Sequence, residues 1–379
     1  MKRIAYCTPS LYIAGGIERV LTTKMNYLAD EAGYDVWVIL TDGRDKEPYF
    51  KLSEKIHVVN LDVNFEELWK HGFIVKIPVY LKKQRIYKKR LKQVLFDIRP
   101  DITITTLRRE INFITSIKDG SKKIGEMHVN RANYRNFEAN DSNFIKELFA
   151  KFWMRNLVGK LKKLDRLVVL TNEDKANWKE LQNVIAIPNP LNVFPTVVSK
   201  QCNKKAIAAG RYCYQKGFDL LIEAWALVAQ RHPDWILEIY GAGNRDEYVK
   251  LAENNGVSNC VIINLATDNI YERYADASLF VFSSRFEGFG MVLLEAMATK
   301  LPAVSFACPC GPRDIISDGE DGILVENDNV LELADKICYL IENEDIRMDM
   351  ARNAVEKAKL YSVDVIMKKW LDLFESINQ

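Results

Sequence analysis

Short apolar runs alternate with amphipathic stretches along nearly the whole chain. Arg3–Cys7, Asp35–Leu40, His57–Leu61, Ile102–Thr105, Ile124–Met127 and Arg166–Leu170 read as short buried strands. Helical periodicity lies between several of them, over Ile17–Ala29 and Leu81–Ile98. The pattern breaks around Ile187, Pro188, Pro190 and Pro195, and a polar stretch runs to Lys205. It then restarts with strands at Ala206–Ala209, Ile236–Tyr240, Val261–Asn264, Leu279–Ser283, Ala303–Phe306 and Gly322–Val325. Helices are expected between them at Phe218–Arg231, Asp246–Asn255, Tyr271–Tyr274 and Gly290–Thr299, and from Val330 to the end. This predicts an α/β chain of two doubly wound, Rossmann-like domains facing a central cleft. The domains are 1–190 and 205–379, joined by a linker at 191–204, with room for the last helix to pack back on the first domain.

The segment Glu287–Glu295 departs from ordinary patterning. Met291 to Ala298 has no charged side chain except Glu295, so as a helix it is apolar nearly all round and buried. A buried carboxylate needs a partner, either a neighbouring Lys or Arg or the hydroxyls of a ligand. Glu287 precedes Gly288, Phe289 and Gly290, where backbone can approach a ligand closely and open onto a helix N-terminus. After the first strand of the second domain, Gly210–Gly217 brings Arg211 and Lys216 to the strand's carboxyl end, placed to hold a diphosphate. Gly15 and Gly16 stand similarly between the first strand and the first helix.

Composition narrows the chemistry. The 379 residues have the apolar and charged fractions of a globular protein, with no run approaching a membrane span. The start lacks a signal-peptide core, so a cytoplasmic location is expected, with peripheral attachment to the inner face of the cell membrane as its extension. Seven scattered cysteines read as reduced thiols, and Cys308 and Cys310 have the wrong spacing for zinc. The net charge of +2 hides an asymmetry: residues 1–190 hold 34 Lys and Arg against 23 Asp and Glu, leaving 19 against 28 in the rest. Trp69–Arg99 carries ten cations and one acid, and Phe144–Arg166 seven cations, both with interleaved aromatics that suit an anionic membrane surface. A solvated helix face is the plainer reading. No nucleic-acid motif accompanies the basic segments, so no nucleic-acid partner is expected.

Taken together, Gly210-Arg211 with Lys216-Gly217, Gly241 and Gly243, the Ser283–Gly290 stretch, Glu295, and Gly319 with Gly322 resemble the GT-B glycosyltransferases of glycosyltransferase family 4. The likeness is strongest over about 206–325, and Gly15–Arg19 and Pro188–Pro190 extend it. It implies a retaining hexosyltransferase that takes a nucleoside-diphosphate sugar, with uridine diphosphate favoured. A glycan or lipid-linked glycan in cell-surface polysaccharide synthesis would accept the sugar. The same resemblance implies that Arg211 and Lys216 hold the diphosphate and that Glu287 contacts the hexose. Gly288, Phe289, Gly290 and Met291 would offer backbone to sugar or phosphate, and Glu295 would bind ribose. Gly15 and Gly16 would approach the diphosphate, and the loop at 266–268 would lie by the base. His128 matches a histidine that many relatives place beside the reacting sugar, with a structural role as its alternative; Glu126 is the next acid to consider. His57, His71 and His232 lack such a setting. No cofactor or metal is expected, since the cations supply the charge and no Asp-x-Asp motif stands out.

Rival classes remain. The run Tyr240–Asn244 resembles part of a dinucleotide fingerprint but lacks its third glycine. A sugar-nucleotide epimerase, a phosphorylase on the same fold, or a non-catalytic nucleotide-sugar-binding protein are nearer alternatives.

Overall fold

The computed structural model of the chain describes residues 2–70, 72–134 and 144–377, with backbone alone at 70, 73, 74 and 144–150. It divides into two units. One comprises Met1–Leu170, Asp174–Asn192 and Val363–Gln379, the other Thr171–Glu173 and Val193–Ser362.

In chain order the first stretch holds β1 (Arg3–Thr8), α1 (Gly16–Asp30), β2 (Asp35–Leu40), β3 (His57–Asn60), α2 (Phe73–Ile98) and β4 (Ile102–Thr105). There follow β5 (Lys122–Glu126), α3 (Phe144–Leu161), β6 (Arg166–Val169), α4 (Asn172–Asn177) and β7 (Val184–Ala186). The strands form one sheet in the order β3-β2-β1-β4-β5-β6-β7, every described pair parallel. Tyr6 of β1 pairs with Val38 on one side and Ile104 on the other. Both faces of such a sheet are covered, so its central strands β1, β4 and β6 are buried along nearly their whole length. In α1, Val20, Leu21, Met25 and Leu28 are buried, one stripe at helical spacing.

The second unit begins with β8 (Lys205–Ala209), α5 (Phe218–Arg231), β9 (Ile236–Gly241), α6 (Arg245–Asn254), β10 (Val261–Leu265) and α7 (Ile270–Ala275). It continues through β11 (Leu279–Phe282), α8 (Met291–Ala298), β12 (Ala303–Phe306), α9 (Pro312–Ile315) and β13 (Gly322–Val325) to α10 (Val330–Glu342) and α11 (Glu344–Lys359). Its parallel sheet runs β10-β9-β8-β11-β12-β13, the same order as the first less one strand. The final helix α12 (Val363–Ser376) returns to the first unit, where Phe374 meets Tyr34 edge-on at 6.0 Å.

In both sheets the connection reverses beside the first strand, between β1 and β4 and between β8 and β11. Ligands of doubly wound sheets bind at this reversal, outside the carboxyl ends of the strands. Each chemistry-bearing loop singled out above leaves one of these sheets at a strand's carboxyl end.

Candidate functional site

In the second unit the loops after β8 and β11 are stitched together. The Arg285 amide donates to Gln215 O at 2.8 Å, and Ser283 Oγ donates to Lys216 O at 2.9 Å. Gly217 makes this fit possible: its φ is +59°, and a Cβ there would lie 2.0 Å from the Ser283 carbonyl oxygen. Arg285 forks onto Asp219 at 2.8 and 2.6 Å and lies over the Tyr214 ring at 4.2 Å. Sequence reasoning missed this clamp, because nothing in the pattern pairs residues so far apart.

The same fit brings Lys216 to Glu287. The ammonium donates to Glu287 Oε1 at 2.6 Å with side-chain exposures of 13% and 8%, and Gln215 Nε2 lies 3.3 Å from the other oxygen. Glu287 thus has a lysine partner. Arg211 is exposed on the same loop. Beyond Glu287, Gly290 adopts φ +98° as the cap of α8, and the amides of Met291 and Val292 open that helix, the Leu293 N–H already bonding to Gly290 O at 3.0 Å. Phe289 is buried against Tyr361, so only its backbone is free to serve a ligand. Glu295 is 3% exposed among buried Leu293, Leu294, Ala296 and Met297, as the apolar run requires. Ala266 and Asp268 are exposed just past β10, at the sheet's edge.

Gly241 and Gly243 have a packing role. A Cβ on Gly241 would lie 2.1 Å from Gly210 O, and Gly243 pairs with Tyr212. These glycines let the β9 loop rest on the β8 loop, which explains the dinucleotide-like spelling without a dinucleotide.

In the first unit Gly15 caps α1 and Gly16 is its first residue, exposed, with no atom within 4 Å of where a Cβ would stand. Beside them, over the carboxyl ends of β1 and β4, a pocket of about 410 Å³ is lined by Ser10, Tyr12, Asp42, Trp69, Arg108 and others. Trp69 is 79% exposed there. The loop after β4 is shaped by Glu110, whose buried carboxylate accepts from Thr105 Oγ1 and from the amides of Arg108 (3.2 Å) and Arg109 (2.9 Å). Ile17, Thr106 and Arg108 also line a smaller cavity of about 60 Å³ that reaches His128. The His128 side chain is 4% exposed, with Nε2 3.2 Å from Glu126 Oε1. Burial pushes the Glu126 carboxyl up, but Lys24 and then His128 outweigh it and hold it down at about 2.

The other histidines have structural settings. His57 stacks on Trp37 at 4.3 Å, and His232 ends α5 beside Glu342; His71 lies outside the described residues. The seven cysteines are free thiols, five of them buried. No group of three or more His, Cys, Asp or Glu among the described residues is arranged to hold a metal ion.

The basic segments differ. α2 buries Tyr87, Leu91, Leu95 and Ile98, while the opposite face exposes Lys82, Arg85, Lys89, Lys92 and Phe96. In α3, Phe152 is 68% exposed, and the Phe149 side chain lies outside the described residues. No helix among the described residues is long and apolar enough to cross a membrane.

The chain is similar to known glycosyltransferases in sequence and in fold. Residues 194–357 match the family described as glycosyl transferases group 1. An uncharacterized glycosyltransferase of Haemophilus influenzae is 27% identical over 98% of this chain and 99% of its own length. The poly(ribitol-phosphate) α-N-acetylglucosaminyltransferase of Staphylococcus aureus is 31% identical over 68% of this chain, which spans only about half (51%) of that relative. An α-1,4-N-acetyl-D-galactosaminyltransferase of Campylobacter jejuni, named for an undecaprenol-linked acceptor, is 23% identical over the full chain (100%) and 99% of its own. Among solved structures, S. aureus TarM with fondaparinux, α-GlcNAc-glycerol and UDP superposes with a TM-score of 0.79 at 18% identity, covering 99% of this chain and 100% of TarM. The pneumococcal O-GlcNAc transferase GtfA with UDP and GlcNAc gives 0.76 at 14% identity, covering 100% and 99%.

The chain is thus a glycosyltransferase of the GT-B fold. The named relatives are transferases rather than epimerases, phosphorylases or binding proteins.

Proposed function

We propose that the protein moves a hexose from a nucleoside-diphosphate sugar to a glycan or lipid-linked glycan acceptor, with retention of the donor's anomeric configuration and without a metal. The observation that carries this reading is the gathering of Arg211, the Lys216–Glu287 pair and the start of α8 at the reversal of the second sheet. Arg211 and Lys216 take the diphosphate. Glu287 holds Lys216 and contacts the hexose, the backbone of Gly288–Met291 contacts sugar or phosphate, and Glu295 takes the ribose hydroxyls. From the first unit, Gly15 and Gly16 serve the diphosphate and His128 the reacting sugar. Uridine diphosphate is the favoured nucleotide because the TarM and GtfA structures hold UDP.

In the reaction the bond from the anomeric carbon to the phosphate oxygen breaks, and the bond to the acceptor oxygen forms on the same face. The acceptor's proton passes to the departing phosphate oxygen. Negative charge grows on that phosphate, where fixed cations and helix-end N–H groups stabilise it, each strong donor contributing about 3–4 kcal/mol. The test is a panel of nucleotide-sugars with product analysis by NMR, with and without EDTA. Inverted product, or full activity of Lys216→Ala, would defeat the assignment; loss of activity with EDTA would defeat metal independence.

A second reading concerns location. The exposed cations and Phe96 on α2 support docking on an anionic membrane surface. Flotation with phosphatidylglycerol vesicles at low salt checks it, and absence of binding there refutes it.

A further inference from the structure

Behind His128 lies a buried polar chain that the reaction as described does not use. Glu126, the last residue of β5, and Lys24, in α1, have side chains 1% exposed each. The Lys24 ammonium donates to Glu126 Oε1. The same oxygen lies 3.2 Å from His128 Nε2, while Oε2 has no partner among the described residues. Lys24 is roofed by aromatic rings, its Nζ 4.2 Å from the Trp370 centroid and 6.0 Å from that of Tyr6. The Nδ1 atom of His128 has no partner among the described residues, and the ring lines the small cavity after β4.

Three ionisable groups in an otherwise apolar setting are a poor way to gain stability. A buried ion pair contributes about as much as well-packed apolar side chains of equal volume, often less. Their arrangement instead suits orientation. An ionised carboxylate beside one imidazole nitrogen selects the tautomer that is protonated there. Without its lysine, a carboxylate so deeply buried would take up a proton and lose that preference. At 3.2 Å the Glu126–His128 pair meets the distance of a hydrogen bond but not its angle, so a small rotation of the ring completes it.

We propose that Lys24 and Glu126 are positioning residues that fix His128 with its Nε2–H turned to Glu126, leaving Nδ1 as the acceptor for a hydroxyl of the bound substrate. The inference rests on the reading that His128 takes part in transfer. Trp370, on the closing helix α12, belongs to the same device, since its ring covers the lysine that keeps Glu126 ionised.

The experiment uses the full chain and the best donor from the nucleotide-sugar panel. The kcat and donor KM are measured for Lys24→Met, Glu126→Gln and His128→Ala, and for each of the first two combined with His128→Ala. Each single variant is expected to lose about 10- to 100-fold in kcat, the usual effect of removing a group that orients a functional ligand, with donor KM little changed. In the His128→Ala background, Lys24→Met and Glu126→Gln should cost nothing further. Additive losses in the doubles, or wild-type kcat in the singles, overturn the proposal while leaving His128 in place. Wild-type kcat in His128→Ala overturns the reading on which it rests. Should a variant fail to fold, ¹⁵N NMR of the wild-type imidazoles decides: a His128 protonated on Nε2 supports the device, and one protonated on Nδ1 alone refutes it.

Discussion

Gly16→Ala separates the demands of the fold from those of the ligand. Position 16 opens α1, and the new methyl would meet no atom within 4 Å. The backbone there is not left-handed, so no strain arises. Alanine in place of glycine in a helix lowers the conformational freedom lost on folding, about 0.5–1 kcal/mol in favour of the variant, less at a first turn. The protein alone therefore gains or is indifferent. If Gly16 instead meets a donor phosphate at contact distance, the methyl displaces that phosphate by about 1 Å, and a misplacement of that size costs about 100-fold, or roughly 2.7 kcal/mol. The assay is kcat/KM for sugar transfer, measured beside the thermal midpoint. We expect an unchanged or raised midpoint with a fall in kcat/KM of at least about tenfold. A variant as active as the wild type would show that no ligand group approaches position 16. A lowered midpoint would show that the packing argument is wrong.

Three further outcomes follow from the packing. Gly217→Ala forces a left-handed residue costing about 1–3 kcal/mol and drives a methyl to 2.0 Å from Ser283 O, so the midpoint of the second unit should fall by several degrees in calorimetry. An unshifted midpoint contradicts the stitching of the two loops. Lys216→Met leaves Glu287 buried without its lysine and should cost about 3–5 kcal/mol in denaturant unfolding. Adding Glu287→Gln should restore most of that stability but none of the transfer, and restored transfer would contradict the site. Glu126, held at about 2 against an ordinary 4.5, contributes stability that is present above about pH 4.5 and lost as pH falls towards 2. Unfolding of wild type and Glu126→Gln followed by urea should therefore converge over that window, and a gap that widens on acidification speaks against a depressed carboxyl.

Much of the architecture could be read from residue patterning because buried parallel strands announce themselves as short apolar runs. Phe218–Arg231, Ala303–Phe306 and Gly322–Val325 have the bounds expected from the sequence. Elsewhere the pattern is weaker. The short edge strand β7 is half-buried along its length and just precedes the prolines read as a boundary. α2 starts at Phe73 rather than Leu81, running through Pro78 and β-branched residues that give no helical cue. The closing helical stretch divides at Asn343 and again over Leu360–Ser362 without a glycine or proline to mark either break. At the site, spacing and residue type single out Glu287, Lys216 and Glu295, but not which acid meets which cation. The Lys216–Glu287 and Lys24–Glu126 pairs join positions 71 and 102 residues apart. Local periodicity carries no information at that range; only the register of the sheets brings those side chains together.

Because α12 belongs with the strands before residue 190, the first unit is built from stretches of chain that flank the second in sequence. Synthesis must pass residue 370 before Trp370 can cover Lys24, whereas the strands of the second unit are all made by residue 325. The second unit can therefore mature first during synthesis, and the half that presents His128 waits for α12.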